Sequence, residues 1–555
     1  MASTSRPSKR ARTAVPSRWF DGRDFYLNRV AYEEDIHDGR LPIAEIVEQS
    51  CVSACFLTSL FQNDDDWFER NFGSIAQLAV VVSHEQRHDA GTLLKERYYR
   101  RHPQWKRLSV RPSSGGLQHS KLMLLRMSNR LRVVIASANL GPQWDIVRET
   151  VWIQDFPLKQ GGDASPFGDD LRTFCTDLVE PHADVFESLL DGVDFTSAEA
   201  TLVASVPGRD SLWIRKVGLT GYRLLNRALK SHLASAPWPM SEDDAPVIIS
   251  TGSLGDLKPS FLKAMEQTLV PEDGVDPSDV TAVNCGGWEA TTMLRILFPT
   301  NATALASSLQ RPVTCRAMLK KTFADVPHAD RERLFFDAQP CSFIGRKEGG
   351  VPSWGHQVLS HGDEGRQLKL ELDEDRRWRP PLAHAKVIFR GVSADASCEG
   401  GGGGGGASAS TIPPTTTTAA WAYVGSHNFS KAAWGQLRRQ PHNIELGVLL
   451  STTSLTRAAM WRERLPYLAP AIDARGYGDL TELQRMFDFG GTWFARAAKC
   501  NGRTELLREE AVWIAEIWAL ALKHRVPKEP LSEEEAEEVA AFVAAAKLCA
   551  DRDAY

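Results

Sequence analysis

The feature that most constrains this chain is a pattern written twice. Gln118-His119-Ser120-Lys121 runs into the apolar stretch Leu122-Met123-Leu124-Leu125, and Ala383-His384-Ala385-Lys386 runs into Val387-Ile388-Phe389. In a β-strand, side chains at i and i+2 share a face, so each His and Lys would project together while the residues that follow anchor the strand. Each pair is followed by a second strand-like run that ends in a polar turn with asparagine: RVVIASANLG, bearing Asn139, and AWAYVGSHNFSKAAWG, bearing Asn428. Beyond each asparagine a glutamate opens another apolar stretch, Glu149 in RETVWI and Glu445 in NIELGVLL. A chain with this order is expected to fold as two similar halves.

The second copy is longer only because a low-complexity segment lies inside it. Gly400 to Gly406 and the Pro/Thr tract that follows cannot bury enough apolar surface to order themselves, so residues 398–419 are expected to form a flexible loop within the domain. With 555 residues the chain has ample length for two large cores. Short apolar runs such as Leu78–Val82, Leu131–Ile135 and Val247–Ile249 alternate with helical-looking stretches such as Asp210 to Leu233, which is the α/β pattern. Pro, Ser and acidic residues around Ser205–Arg209 and Ala234–Asp244 break the periodicity. The first half is therefore placed at 19–215 and the second at 216–555, closed by an Ala/Glu-rich helix that starts at the capping pattern Ser532-Glu533-Glu534-Glu535.

Two imidazoles facing each other across one phosphate can divide a displacement at phosphorus, one attacking and the other protonating the leaving oxygen. Two lysines and two asparagines would hold the nonbridging oxygens and stabilise the charge of the transition state, so neither a metal nor a cofactor is expected. A single His-x-Lys carries little information, but two copies with the same followers in the same order do. The net charge of -5 places any nucleic-acid contact in a local patch rather than in the overall charge. No apolar run approaches the ~20 residues of a membrane span, and nine cysteines without a CxxC pair fit reduced thiols. Residues 1–18 read as a disordered tail whose cluster Lys9-Arg10-Ala11-Arg12 suggests nuclear import.

These motifs resemble the phospholipase D superfamily, and within it the tyrosyl-DNA phosphodiesterase branch, in which asparagine fills the distal position of the usual His-Lys-Asp motif. The resemblance runs from about Phe20 to about Ser451 and includes FYLNRV at Phe25–Val30, SVPGR at Ser205–Arg209, TGSLG at Thr251–Gly255, SHNFSKAAWG and ELGVLL. It implies two α-β-α-β-α sandwich halves related by a pseudo-twofold axis. It also implies hydrolysis of the 3′-phosphotyrosyl bond left by a trapped type IB topoisomerase, with other 3′ adducts as secondary substrates. By this resemblance His119 is the nucleophile that forms a phosphohistidine, and His384 is the acid and then the base. Lys121, Lys386, Asn139 and Asn428 clamp the phosphate, and Glu445 orients a histidine. Glu149 falls near a glutamine of the family. Ser250, Ser253 and Ser430 sit where the family touches the DNA backbone, and Gly115 stands where it often has an aromatic. The implied partners are single- or double-stranded DNA with 3′ adducts and a topoisomerase-derived peptide, met by a nuclear monomer. Alternatives from other classes are a nuclease or lipid hydrolase using the same centre and a non-catalytic DNA-binding scaffold.

Three weaker signals complete the reading. His84-Glu85-Gln86-Arg87-His88 matches HExxH, but it follows a strand-like run and is expected to be a loop, not a zinc site. Arg97 to Arg107 interleaves basic and aromatic residues, as single-strand binding surfaces do, or else forms a helix end and turn. Asp64-Asp65-Asp66 fits loop and helix-cap duty better than a cation site.

Overall fold

The computed structural model describes residues 18–30, 39–60, 65–75, 79–84, 102–141, 143–159, 165–180, 182, 184–238, 245–255, 257–281, 283–298, 316–317, 334–337, 383–391, 417–436 and 439–466. The basic cluster at Lys9–Arg12, most of HExxH, Arg97–Arg101, residues 398–416 of the Gly/Pro/Thr segment and the C-terminal Ala/Glu-rich stretch lie outside them.

Two sheets carry the fold. The first holds β1 (Asp21–Asn28), β2 (Arg40–Leu41), β3 (Val52–Ser59), β4 (Ala79–His84), β5 (Trp105–Val110), β6 (Leu122–Met127), β7 (Arg130–Ala136) and β8 (Thr150–Pro157) in the order β2-β1-β8-β7-β6-β3-β4-β5. The second holds β9 (Thr201–Ser205), β10 (Val247–Ser250), β12 (Leu294–Phe298), β14 (Phe335–Asp337), β15 (Val387–Gly391), β16 (Ala420–Gly425) and β17 (Glu445–Thr452) in the order β14-β12-β10-β15-β16-β17-β9. A two-stranded ribbon joins β11 (Ser253–Leu254) to β13 (Arg316–Ala317).

Apart from β2, the sheets repeat one another strand for strand. β6, β7 and β8 run antiparallel in succession, as do β15, β16 and β17. β3 pairs antiparallel with β6 and parallel with β4, while β10 pairs antiparallel with β15 and parallel with β12. β1 closes the first series against β8, and β9 closes the second against β17, both antiparallel. The duplicated His-Lys, Asn and Glu motifs therefore lie at the ends of corresponding strands of two halves with the phospholipase D-like architecture. β9 precedes the join expected at residue 215, yet it belongs to the second sheet, so sheet membership changes between Pro157 and Thr201.

Alternation along the central strands explains why the sheets are buried on both faces. On β7, Leu131, Val133 and Ile135 enter a large core shared with Leu446, Val448 and Leu450 of β17. Val134 and Ala136 point the other way, against Ile43, Ile46, Trp67 and Phe68. The segment expected to be helical from Asp210 to Leu233 is split into helices Leu212–Val217 and Tyr222–Ser235. Gly218 ends the first with φ +79, a left-handed conformation that favours glycine. The second buries Tyr222, Leu225 and Leu229, spaced to form one helix face. Trp105–Arg107 lies on β5 at the edge of the first sheet, not at a helix end, paired in parallel with Ala79–Val81 of β4. Asp65 and Asp66 open helix Asp65–Phe72. Among the described residues no helix is long and apolar enough to cross a membrane.

Candidate active site

Each His-x-Lys segment sits just ahead of its strand, where the chain leaves the core. His119 and Lys121 precede Leu122, and His384 and Lys386 precede Val387. Neither segment is held by its own half alone. His119 N donates to Ile444 O at 2.8 Å, and His384 N donates to Arg148 O at 2.9 Å. Ile444 and Arg148 are the residues immediately before Glu445 and Glu149, so the same backbone bond is made twice in opposite directions. Short parallel bridges, Gln118 to Ile444 and Arg148 to Ala383, accompany them.

The crossing brings each imidazole to the other half's carboxylate. His119 Nδ1 lies 2.7 Å from Glu445 Oε2, and His384 Nδ1 lies 2.7 Å from Glu149 Oε1. Both carboxylates are fully buried. The turn that carries each asparagine supplies a serine to the carboxylate of its own half: Ser426 Oγ donates to Glu445 Oε2 at 2.6 Å, and Ser137 Oγ donates to Glu149 Oε2. Each serine also accepts a backbone N–H on the glutamate strand, from Leu446 at 3.0 Å and from Thr150 at 2.9 Å. In the sequence the only mark of Ser137 and Ser426 is the repeated Ser-x-Asn spacing, Ser137-Ala138-Asn139 and Ser426-His427-Asn428.

The lysines fold back on their own histidines. Lys121 Nζ donates to His119 O at 2.6 Å, and Lys386 Nζ donates to His384 O at 2.9 Å and to Ser137 O at 3.3 Å. Lys386 Nζ also lies 3.1 Å from His384 Nδ1. Burial and the neighbouring charge of Lys386 push Lys121 down to about 7. Burial lowers His119 to about 4, against the pull of Glu445. His384 is lowered as well, by burial first, with Glu149 opposing. Burial alone would raise the glutamates, but the adjoining imidazoles hold Glu445 at about 2 and, with Lys386, lower Glu149. The pairs thus consist of neutral imidazoles whose Nδ1 protons face carboxylates, which leaves each Nε2 with a lone pair.

Asn139 is buried and accepts from Leu60 N at 3.3 Å through Oδ1. Asn428 is half-buried, and its Oδ1 is a buried atom with no hydrogen-bond partner among the described residues. Ser250 is buried and donates to Ala385 O at 2.8 Å, between His384 and Lys386. Ser253, on β11, and Ser430 are half-buried neighbours, since Leu254 bridges to Phe429. Ser430 caps helix Lys431–Trp434 by accepting from Ala433 N. Gly115 stands in open space with φ +74.

The site can do one kind of chemistry well. It offers two neutral imidazoles and two buried lysines beside two buried carboxylates, a set that suits displacement at phosphorus. A sequence model of the family described as tyrosyl-DNA phosphodiesterase matches residues 25–484. A tyrosyl-DNA phosphodiesterase 1 of Arabidopsis thaliana is 26% identical over 247 residues, which is 41% of this chain and 38% of that protein. The match thus spans well under half of that relative's length. The fold is similar to the crystal structure of a yeast tyrosyl-DNA phosphodiesterase, with TM-score 0.52 and 18% identity over 78% of this chain and 91% of that one. A point mutant of the yeast protein gives TM-score 0.55 and 16% identity over 83% of this chain and 97% of that one. The matched span runs from the first strand through both His-Lys-Asn sets to beyond Glu445, and on that span the chain belongs to the tyrosyl-DNA phosphodiesterase family.

Proposed function

We propose that this chain is a DNA-repair phosphodiesterase that hydrolyses 3′-phosphotyrosyl bonds, and related 3′ adducts, through a covalent phosphohistidine. The observation that carries the reading is the reciprocal pairing of His119 with Glu445 and of His384 with Glu149, each across the two halves. His119 Nε2 attacks phosphorus, the P–O bond to the tyrosine breaks, and His384 delivers a proton to the departing phenolate oxygen. Water then attacks the phosphorus, His384 takes its proton, the P–N bond breaks, and DNA leaves with a 3′-phosphate. A bound phosphodiester adds negative charge beside His384 and favours its protonated form.

Lys121, Lys386, Asn139 and Asn428 clamp the nonbridging oxygens and meet the charge of the transition state. The set supplies this charge without a metal. Ser253 and Ser430, at the rim, contact the DNA backbone, while Ser250 holds the His384–Lys386 segment from behind. Both His-Lys-Asn sets lie in one chain, so a monomer has a complete site. The physiological substrate is DNA with a topoisomerase-derived peptide on its 3′ end, and the basic cluster at Lys9–Arg12 directs the protein to the nucleus. The test is an oligonucleotide bearing 3′-phosphotyrosine, incubated with the protein in EDTA. Release of tyrosine supports the reading, and binding without turnover would leave a scaffold in its place.

A further inference from the structure

We propose that Asn443 is a positioning residue that divides the labour between the two histidines by holding Glu445. The inference rests on the phosphohistidine reading above. The two halves match closely around their carboxylates, but Asn443 has no counterpart. Its Nδ2 donates to Glu445 Oε1 at 3.0 Å, and its Oδ1 accepts from Leu117 N at 3.0 Å, two residues before His119. At the matching position, two residues before Glu149, stands Val147, which is fully buried and has no side-chain donor.

Glu445 therefore receives three side-chain donors, from His119, Ser426 and Asn443. Glu149 receives two from its matching partners, His384 and Ser137. A carboxylate whose charge is satisfied by more donors is a weaker base and pulls less on the imidazole proton it faces. His119 is thereby kept neutral, with Nε2 ready to attack. His384, facing the less satisfied Glu149, is the better holder of a proton and serves as the acid.

The lysines act on both pairs alike: Lys386 lowers Glu149 and Lys121 lowers Glu445. Lys121 and Lys386 oppose protonation of His119, and the same two lysines oppose protonation of His384. His427, which follows Ser426, also lies near Glu445 and has Ala138 as its counterpart. It is held neutral by burial, between Ser205 Oγ at 2.9 Å and the hydroxyl of Tyr423. The Asn443 bridge also ties the loop leading into His119 to the strand that carries Glu445, so one side chain sets both the position and the basicity of the pair.

The test follows the burst of adduct formation against pH with an oligonucleotide ending in a 3′-(4-nitrophenyl) phosphate. That leaving group departs without a proton, so the acid limb of the burst rate reports the ionisation of His119. Asn443→Val copies Val147 and is expected to move the limb upward by about one pH unit. Asn443→Asp keeps the acceptor for Leu117 N, and hence the shape, but replaces the donor with negative charge. It is expected to move the limb further, with the plateau rate at high pH within about threefold of the unsubstituted protein. An unmoved limb in both variants, with the rate lowered equally at every pH, would show that Asn443 is only structural and overturn the proposal. Absence of any adduct on His119 in the unsubstituted protein would instead overturn the phosphohistidine reading, and this inference with it.

Discussion

The imidazole of His119 meets the carboxylate of Glu445 at 2.7 Å, although 326 positions separate them in the chain. His384 and Glu149 form the same contact from the opposite side. Each histidine takes its carboxylate from the other half, so the two His–Glu pairs exist only when the two sheets are docked.

Because each carboxylate holds one ring in one tautomer, the two glutamates are expected to fail differently. Glu445→Gln should slow formation of the His119 adduct by about 10² to 10⁴-fold, the range associated with a misoriented or wrongly protonated catalytic base. Glu149→Gln should spare much of that step and slow adduct breakdown, the step proposed for His384. Rapid-quench measurement of the two steps in each variant checks the assignment, and an equal effect of both substitutions on one step would contradict it.

Gly252 makes room for the second histidine. A Cβ there would stand 2.4 Å from His384 Cδ2 and 3.0 Å from His384 O. Since backbone as well as ring is in the way, Gly252→Ala is expected to displace His384 and lower kcat by about 100-fold, as ångström-scale misplacement does. The melting temperature should change little. A variant with full kcat would show that the ring tolerates displacement.

The same buried pairs make stability depend on pH. His119 is pushed down to about 4, below its unfolded value of 6.5, so the unfolded chain binds this proton more readily and stability is lost as pH falls from about 6.5 toward 4. Glu445, held at about 2 against 4.5, adds a further loss as pH falls from about 4.5 toward 2. Calorimetry between pH 7 and pH 4 should show a falling melting temperature, with a smaller fall in His119→Ala. Equal falls in the two proteins would remove His119 as the cause.

Much of this was legible in the sequence because it is local. The period of two in Leu131–Ile135 and the repeated His-x-Lys and Ser-x-Asn spacings each lie within a few residues, and each maps onto a strand and the turn beside it. What was not legible is long-range. Nothing near Glu149 reveals that it faces His384 rather than His119, since that depends on how the sheets dock. The assignment of Thr201–Ser205 to the second sheet depends on its pairing with β17, and a five-residue apolar strand carries no mark of its partner. The apolar spacing of the segment from Asp210 survives Gly218 and so predicts one helix, while the left-handed turn there breaks it. Asn443 carries no mark in the sequence, because one asparagine in a bend is ordinary and its contact with Glu445 exists only in the fold.

The central claim is that two imidazoles, one from each half, act in turn on a single phosphorus. Denaturing electrophoresis and peptide mapping after brief reaction with a 3′-phosphotyrosyl oligonucleotide test it most directly. The account predicts that His384→Ala accumulates DNA covalently attached to His119, while His119→Ala forms no adduct. Equal adduct in both variants, or attachment at any other residue, would contradict it.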